Sequence, residues 1–327
     1  MSAPRLSVAV LRCWSTACLV AAGTLIVAAT SACTVVVEPD PTGSGGAGGN
    51  GSGGAGGGLP PVILIVQDRS GSMDTCLGSE PARDASEACG ADADSNGFPD
   101  SRFRSRMDVA QTVVSGAVAQ HAADVAWGLI LYGVSSPNVA CGEAELTVPV
   151  GEDPSALQDA YAADLRIDRP LGGTPTTSAL RAAYDALVDP ASDVLRLEGR
   201  PTYVLLITDG LMNCNEAHAF PCRCSLESGC PGGVLEGGEV VSGDERQCLD
   251  DDASIAEVQR LAGKGIKTFV VGLGNLGSDP VAVGVLNALA DAGGAQSDPF
   301  FVRFHAATNG AELQQALDSL LAMVAAP

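Results

Sequence analysis

The sequence predicts an α/β fold: a doubly wound, mostly parallel sheet with one antiparallel edge strand. Three observations support this prediction. Four short apolar runs are rich in Val, Ile and Leu, as strands buried on both faces are. Segments with apolar residues three and four positions apart separate these runs, which indicates amphipathic helices. One further stretch alternates in polarity, which is typical of an edge strand. Strands that alternate with helices in this way favour an open sheet covered on both faces.

The first 32 residues are predicted to be a lipoprotein signal peptide. Arg5 and Arg12 precede an uncharged stretch, 13–37, whose centre is apolar, and this is the layout of a secretory signal. Within it, the sequence TSAC ends at Cys33 and resembles the bacterial lipoprotein signal, although Thr stands where Leu is usual. Cys33 is therefore the predicted lipidation site. An uncleaved membrane helix is the alternative, and both interpretations put the later residues outside the cytoplasm.

Residues 33–60 are predicted to be a flexible tether. From 43 to 58, 11 of 16 residues are Gly, and the others are small or polar, so the segment has little to bury. Such a coil spans roughly 25–30 Å, at about 5–6 Å times the square root of its length. Residues 61–325 would form the folded domain just off a membrane, and an outer membrane lipoprotein is the expected location.

Within the folded domain, strands and helices follow one another along the chain. Val, Ile and Leu predominate in the predicted strands, which are 62–66, 125–132, 203–208 and 266–271, and the alternating edge strand is 143–150. One-sided apolar spacing marks the predicted helices, which are 107–118, 180–187, 255–261 and 311–323.

Three connections are longer than structureless loops usually are. They are 75–101, 133–142 and 211–250, and each follows a predicted strand and carries cysteine. We expect them to form disulfide-bearing insertions around the carboxyl edge of the sheet, where they would determine partner specificity. Insertions that are merely tolerated are the alternative.

The cysteines agree with an oxidising compartment. Of the 11 cysteines, two lie in the predicted signal and one is the lipidation site, which leaves an even number. If Cys76 pairs with Cys89 and all eight are bridged, Cys141 must pair within the 214–248 segment. A zinc site at Cys222, Cys224, Cys230 and His218 is a less favoured alternative, because it lacks a CxxC pair. The disulfide candidates are Cys76, Cys89, Cys141, Cys214, Cys222, Cys224, Cys230 and Cys248.

Polar side chains are predicted to gather at one edge of the sheet. The segment DRSGS begins at Asp68, directly after the first strand, and TDG, centred on Asp209, follows the strand 203–208. Between them lies GGTPT, centred on Thr174. Carboxylate and hydroxyl oxygens are hard ligands that suit Mg²⁺, and ligand sites of such sheets lie at the carboxyl ends of the strands. Each segment alone could be an ordinary turn.

Together, and in this order, the three segments resemble the metal-ion-dependent adhesion site of von Willebrand factor type A (VWA, or integrin I-like) domains. The resemblance covers the chain from about residue 59 onward and implies a Rossmann-like fold. It implies Mg²⁺ as the ion, or Mn²⁺ or Ca²⁺, with Ser70 and Ser72 as direct ligands. Thr176 competes with Thr174, which is preferred because it directly follows the Gly pair. The implied metal ligands are Asp68, Ser70, Ser72, Thr174 and Asp209.

The first long insertion contains a candidate calcium loop. Asp92, Asp94, Asn96 and Asp100 are spaced as in the calcium loops of thrombospondin type 3 repeats, which the segment resembles. Phe103 stands where an EF-hand requires its final Glu, so a full EF-hand is excluded. The loop is predicted to bind Ca²⁺, and a flexible acidic loop is the alternative.

The net charge of the chain limits the classes of partner. The chain has 18 basic and 39 acidic residues, a net charge of −21, which disfavours nucleic acid because phosphates would be repelled. The predicted function is a non-enzymatic, metal-dependent adhesion module that is lipid-anchored on the cell envelope. Its metal would complete its coordination with an Asp or Glu carboxylate of a protein or peptide partner. The alternatives are an envelope scaffold with a structural metal and, less favoured, a metal-assisted phosphohydrolase, since phosphoryl transfer requires positive groups that this edge mostly lacks.

Overall fold

Strands of two sheets and six helices are described in the computed structural model. It describes residues 59–77, 105–133, 141–151, 153, 155–167, 172–188, 200–215, 217, 219–224, 234–236, 239–243, 248–295 and 303–325. The strands are β1 (Val62–Asp68), β2 (Ala126–Tyr132), β3 (Val148–Gly151), β4 (Thr202–Thr208), β5 (Cys222–Arg223), β6 (Val234–Glu236), β7 (Glu239–Ser242), β8 (Lys267–Leu273) and β9 (His305–Ala307).

The larger sheet has the strand order β3-β2-β1-β4-β8-β9. All its neighbouring strands pair in parallel except β3, which is antiparallel to β2. The chain runs outward from β1 to β2 and β3, and then returns to the other side of β1 as β4. The strand order therefore reverses between β1 and β4, where sheets of this kind bind ligands.

Helices cover both faces of this sheet. Alternate residues of β1 face opposite sides: Ile63 and Ile65 belong to the apolar core under α1, α2 and α6, and Leu64 to the core under α3, α4 and α5. Full burial of such a side chain stabilises by about 1.5–3 kcal/mol, which accounts for the continuous apolar runs. The predicted fold class is thus confirmed. The helices are α1 (Arg106–Gln120), α2 (Ser155–Ile167), α3 (Thr176–Val188), α4 (Asp251–Ala262), α5 (Pro280–Gly293) and α6 (Gly310–Ala325).

The insertion between β4 and α4 carries a small antiparallel sheet of order β5-β7-β6. A disulfide joins Cys222 to Cys248 at its base, and Cys224 is also disulfide-bonded. Two of the proposed zinc ligands are therefore not thiolates, and the zinc alternative is wrong. Disulfide-bearing insertions, by contrast, are confirmed.

The edge strand differs from its predicted bounds. The sequence predicts 143–150, whereas β3 covers Val148–Gly151. Thr147 still bonds to β2, through Leu129 O, but the backbone N–H of Ala144 donates to Ser178 Oγ of α3, at 2.8 Å, so the chain at Ala144 bonds to a helix. The sequence pattern predicts neither α2, α5 and β9 nor the small sheet. Among the described residues, the helices are too short or too polar to cross a membrane.

Candidate functional site

Two buried carboxylates lie at the point where the strand order reverses. Asp68 is the last residue of β1, and Asp209 directly follows β4. Their exposed fractions are 0% and 2%, whereas Ser72, in the turn after β1, is exposed. The two carboxylates therefore lie beneath a hydroxyl group that faces solvent.

A chain of hydrogen bonds connects the predicted ligands of the first and last segments. Ser70 N donates to Asp68 Oδ1 at 2.7 Å, and the Oγ atoms of Ser70 and Ser72 are 3.0 Å apart. Ser72 Oγ donates to Asp209 Oδ1 at 2.7 Å. The structure thus brings Asp68, Ser70, Ser72 and Asp209 into one cluster.

The predicted Thr174 segment is tied to both other segments. Gly71 N donates to Gly172 O at 3.2 Å. Thr174 N donates to Asn213 Oδ1 at 2.6 Å, and Asn213 N donates to Thr174 O at 3.2 Å. Asn213 was not identified from the sequence. These two hydrogen bonds with Asn213 fix the backbone of Thr174.

The competing threonine, Thr176, has a different position. It begins α3 and is fully buried, with its Oγ1 hydrogen-bonded to the Tyr132 hydroxyl at 3.4 Å. Its hydroxyl is therefore part of the packing between α3 and β2.

Burial makes the two carboxylates costly to ionise. Burial first, and then the charge of Asp209, raises the pKa of Asp68 to about 7, although Ser70 N and Thr208 Oγ1 donate to this carboxylate. Burial also raises the pKa of Asp209, against the opposing effect of the Arg106 guanidinium. Negative charge in this cluster is incompletely compensated, and a cation bound there would favour the ionised forms.

Arg106 is a site residue that the sequence analysis missed. Its Nη1 donates to Asp209 Oδ2 at 2.7 Å. Arg106 N donates to Thr75 O at 2.9 Å, so the two ends of the first long insertion meet beside the cluster. A signal was present: Ser105 and Asp108 form a capping box, which marks Arg106 as the first residue of α1.

The comparisons with known proteins support the fold. No family model matches the sequence, and no curated protein matches it. Among solved structures, the pilus adhesin SpaC of Lactobacillus rhamnosus GG has a TM-score of 0.50 and 17% identity, with 82% of this chain and 30% of that chain covered. The vWF domain of the pilus tip protein Mfa5 of Porphyromonas gingivalis has a TM-score of 0.50 and 14% identity, with 81% and 95% covered. The chain has a VWA-like fold.

This chain spans about 30% of the length of SpaC, and at these identities the likeness concerns the fold alone. The VWA-like fold nonetheless agrees with the placement of the cluster at the carboxyl edge of the sheet. Within the described ranges, no group of three or more His, Cys, Asp or Glu side chains could hold a metal. The cluster contains two carboxylates, so a metal bound there would take its remaining ligands from hydroxyl groups or water.

Several predicted features lie outside the described residues. These are the signal peptide 1–32 with Cys33, most of the tether 33–60, the calcium loop residues Asp92, Asp94, Asn96 and Asp100, and the disulfide candidates Cys89 and Cys230.

A disulfide holds the edge of the VWA-like fold beside Thr174. Cys141, after β2, is bonded to Cys214, which follows Asn213 and has a positive φ of 65°. The bridge spans 73 residues, so loss of loop-closure entropy in the unfolded chain should stabilise the protein by about 4–4.5 kcal/mol. We expect the double variant Cys141→Ser, Cys214→Ser to lose about this much free energy of unfolding, measured by urea denaturation. An unchanged unfolding midpoint would contradict the prediction.

Proposed function

We propose that this chain is a non-enzymatic, divalent-metal-dependent protein-binding module displayed on the cell envelope. The observation that carries the proposal is the spacing of the hydroxyl oxygens. Octahedral Mg²⁺ takes ligands at about 2.0–2.1 Å, so neighbouring ligand oxygens lie about 2.8–3.0 Å apart. Ser70 Oγ and Ser72 Oγ are 3.0 Å apart, and Ser72 Oγ and Asp209 Oδ1 are 2.7 Å apart. The first distance suits ligands on adjacent positions of one ion, and the second is about 0.1 Å shorter than that range.

The chemistry of the donors fits the same ion. Hydroxyls of Ser70, Ser72 and Thr174 are hard oxygen ligands, and Asp68 and Asp209 supply negative charge from below. Thr174 is preferred to Thr176, because the Thr176 hydroxyl bonds to Tyr132 in the core. A bound ion would supply an open coordination position for an acidic side chain of a partner. The exposure of Ser72 supports access to that position from solvent.

Adhesion on the envelope is the proposed setting for this chemistry. The two similar solved structures are a pilus adhesin and a pilus tip protein, and we carry that role over as a proposal. Attachment through a lipid on Cys33 and the Gly-rich tether would place the module just outside a membrane. Calcium binding by the 92–100 loop is a separate proposal from the sequence pattern alone.

Affinity capture tests the proposed function. Immobilised wild-type protein should retain specific envelope proteins in Mg²⁺ and release them in EDTA, because the partner carboxylate binds only to the loaded site. Asp209→Ala should retain none in either condition. Asp124→Ala is the matched control, since its carboxylate is exposed and lies near His121, at the end of α1 opposite Arg106.

Two outcomes would contradict binding through the metal. If neither EDTA nor Asp209→Ala changes the retention of envelope proteins, the partner binds elsewhere on the surface. Mg²⁺ that raises the melting temperature of the wild type without any metal-dependent retention would favour the scaffold alternative, in which the ion is purely structural.

A further inference from the structure

Arg106 contacts Asp209 of the proposed metal site, and its role there rests on the proposed function. We propose that Arg106 makes the divalent ion and the acidic ligand bind as a pair. Its guanidinium weakens binding of the ion alone, and it strengthens binding of an anion once the ion is present. Arg106 is thus a specificity-determining residue for the charge of the partner.

The position of Arg106 in α1 is unfavourable for the helix itself. A positive charge in the first turn opposes the helix dipole, which favours acidic residues there. Its backbone N–H is used by Thr75 O, and its side chain is 21% exposed, so it is not a freely solvated surface arginine. The ion pair with Asp209, at 2.7 Å, compensates for this placement.

The guanidinium is held close to the sheet by the end of β8. Gly274 has a φ of +97°, and a Cβ atom there would lie 3.0 Å from Arg106 Nη2 and 3.1 Å from Cζ. A side chain at this position would be strained by the positive φ and would push the guanidinium by a few tenths of an ångström. The absence of a side chain at Gly274 therefore lets the charge lie against Asp209 Oδ2, while Ser72 bonds to Asp209 Oδ1.

The net charge of the cluster explains how Arg106 would couple the ion to an acidic ligand. When ionised, Asp68 and Asp209 carry two negative charges, and Arg106, which bonds to Asp209, carries one positive charge, so the cluster has one net negative charge. A divalent ion leaves one positive charge uncompensated, and a single carboxylate from a ligand neutralises it. Without Arg106, the loaded cluster would already be neutral, and a carboxylate would make it negative.

The repulsion between the Arg106 guanidinium and a bound divalent ion is large enough to measure. A unit charge and a double charge a few ångströms apart, at the effective dielectric constant of about 20 that suits protein sites, repel by more than the about 1.4 kcal/mol that corresponds to a tenfold change in affinity. Solvent and salt near the partly exposed Arg106 side chain reduce the gain in Mg²⁺ affinity that its removal brings. We therefore expect a change of about tenfold.

Calorimetric titration with Mg²⁺ alone tests the first half of the inference. Arg106→Gln should bind Mg²⁺ about tenfold more tightly than wild type. Arg106→Lys, which keeps the charge, should stay within about threefold of wild type. Arg181→Gln is the matched control: it removes one positive charge at a half-exposed ion pair with Glu257 and should leave Mg²⁺ affinity unchanged. Far-UV circular dichroism checks that each variant is folded.

Acetate, as the simplest carboxylate, tests the second half. At equal ionic strength, replacing chloride by acetate should tighten Mg²⁺ binding about threefold more for wild type and Arg106→Lys than for Arg106→Gln.

Weaker or unchanged Mg²⁺ affinity in folded Arg106→Gln would overturn the inference and leave the proposed metal site intact. If Arg106→Gln does not fold, Arg106→Lys decides: a tenfold change in either direction, or loss of the acetate effect, would show that charge is not the determinant. Absence of Mg²⁺ binding by the wild type would overturn both the inference and the proposed function.

Discussion

Replacing Asp68 by Ala is expected to reduce Mg²⁺ affinity at least about a hundredfold, to below detection by calorimetry. The reason is the charge of the cluster: without Asp68, the ion pair of Asp209 and Arg106 is neutral, and no net negative charge remains to attract a cation. The fold should persist. Asp68 is a fully buried carboxylate whose pKa is raised by burial, so its removal takes away a cost of desolvation.

Circular dichroism and an exposed carboxylate provide the controls for this experiment. Asp68→Ala should have the far-UV spectrum of the wild type, and Asp124→Ala should bind Mg²⁺ with wild-type affinity because its carboxylate is remote from the cluster and exposed. Undiminished affinity in folded Asp68→Ala would mean that the ion binds elsewhere. In that case the assignment of Asp68 to a metal site would be wrong.

Strands buried on both faces could be predicted because burial requires apolar side chains at nearly every position. Every residue of β1 and β4 is buried, so apolar composition alone identifies them. The strand β9 is only three residues long, His305–Ala307, and its residues have no preference for extended structure. Pairing with β8 defines it, and pairing partners cannot be deduced from so short a segment.

The predicted cluster residues follow directly after strands, which is why Asp68 and Asp209 could be paired from the sequence. Arg106 and Asn213 could not be found by the same logic. Arg106 and Asp209 are 103 residues apart in the sequence. They meet because the hydrogen bond from Arg106 N to Thr75 O brings the two ends of the first long insertion together. Asn213 acts through the backbone of Thr174, and an amide in a long loop has no distinctive spacing.

In EDTA, the stability of the protein is expected to depend on the ionisation of Asp68. Its pKa is 3.8 when unfolded and about 7 when folded, raised chiefly by burial and by the charge of Asp209. Between these values the folded state binds more protons than the unfolded state, so the free energy of unfolding falls as pH rises. At about 1.4 kcal/mol per pKa unit, the contribution amounts to about 4 kcal/mol, and it is complete above about pH 7.

The difference between wild type and Asp68→Asn isolates this contribution. His305 acts in the opposite direction, since burial lowers its pKa to about 4 and stability therefore rises with pH between 4 and 6.5 in both proteins. Urea denaturation should show Asp68→Asn gaining about 4 kcal/mol over the wild type between about pH 4 and pH 8. Mg²⁺ should remove this disadvantage of the wild type at high pH, because an ion that binds the ionised carboxylate stabilises only the folded state. Parallel profiles for the two proteins in EDTA would show that Asp68 is ionised in the fold without cost, and that the cluster does not need a cation.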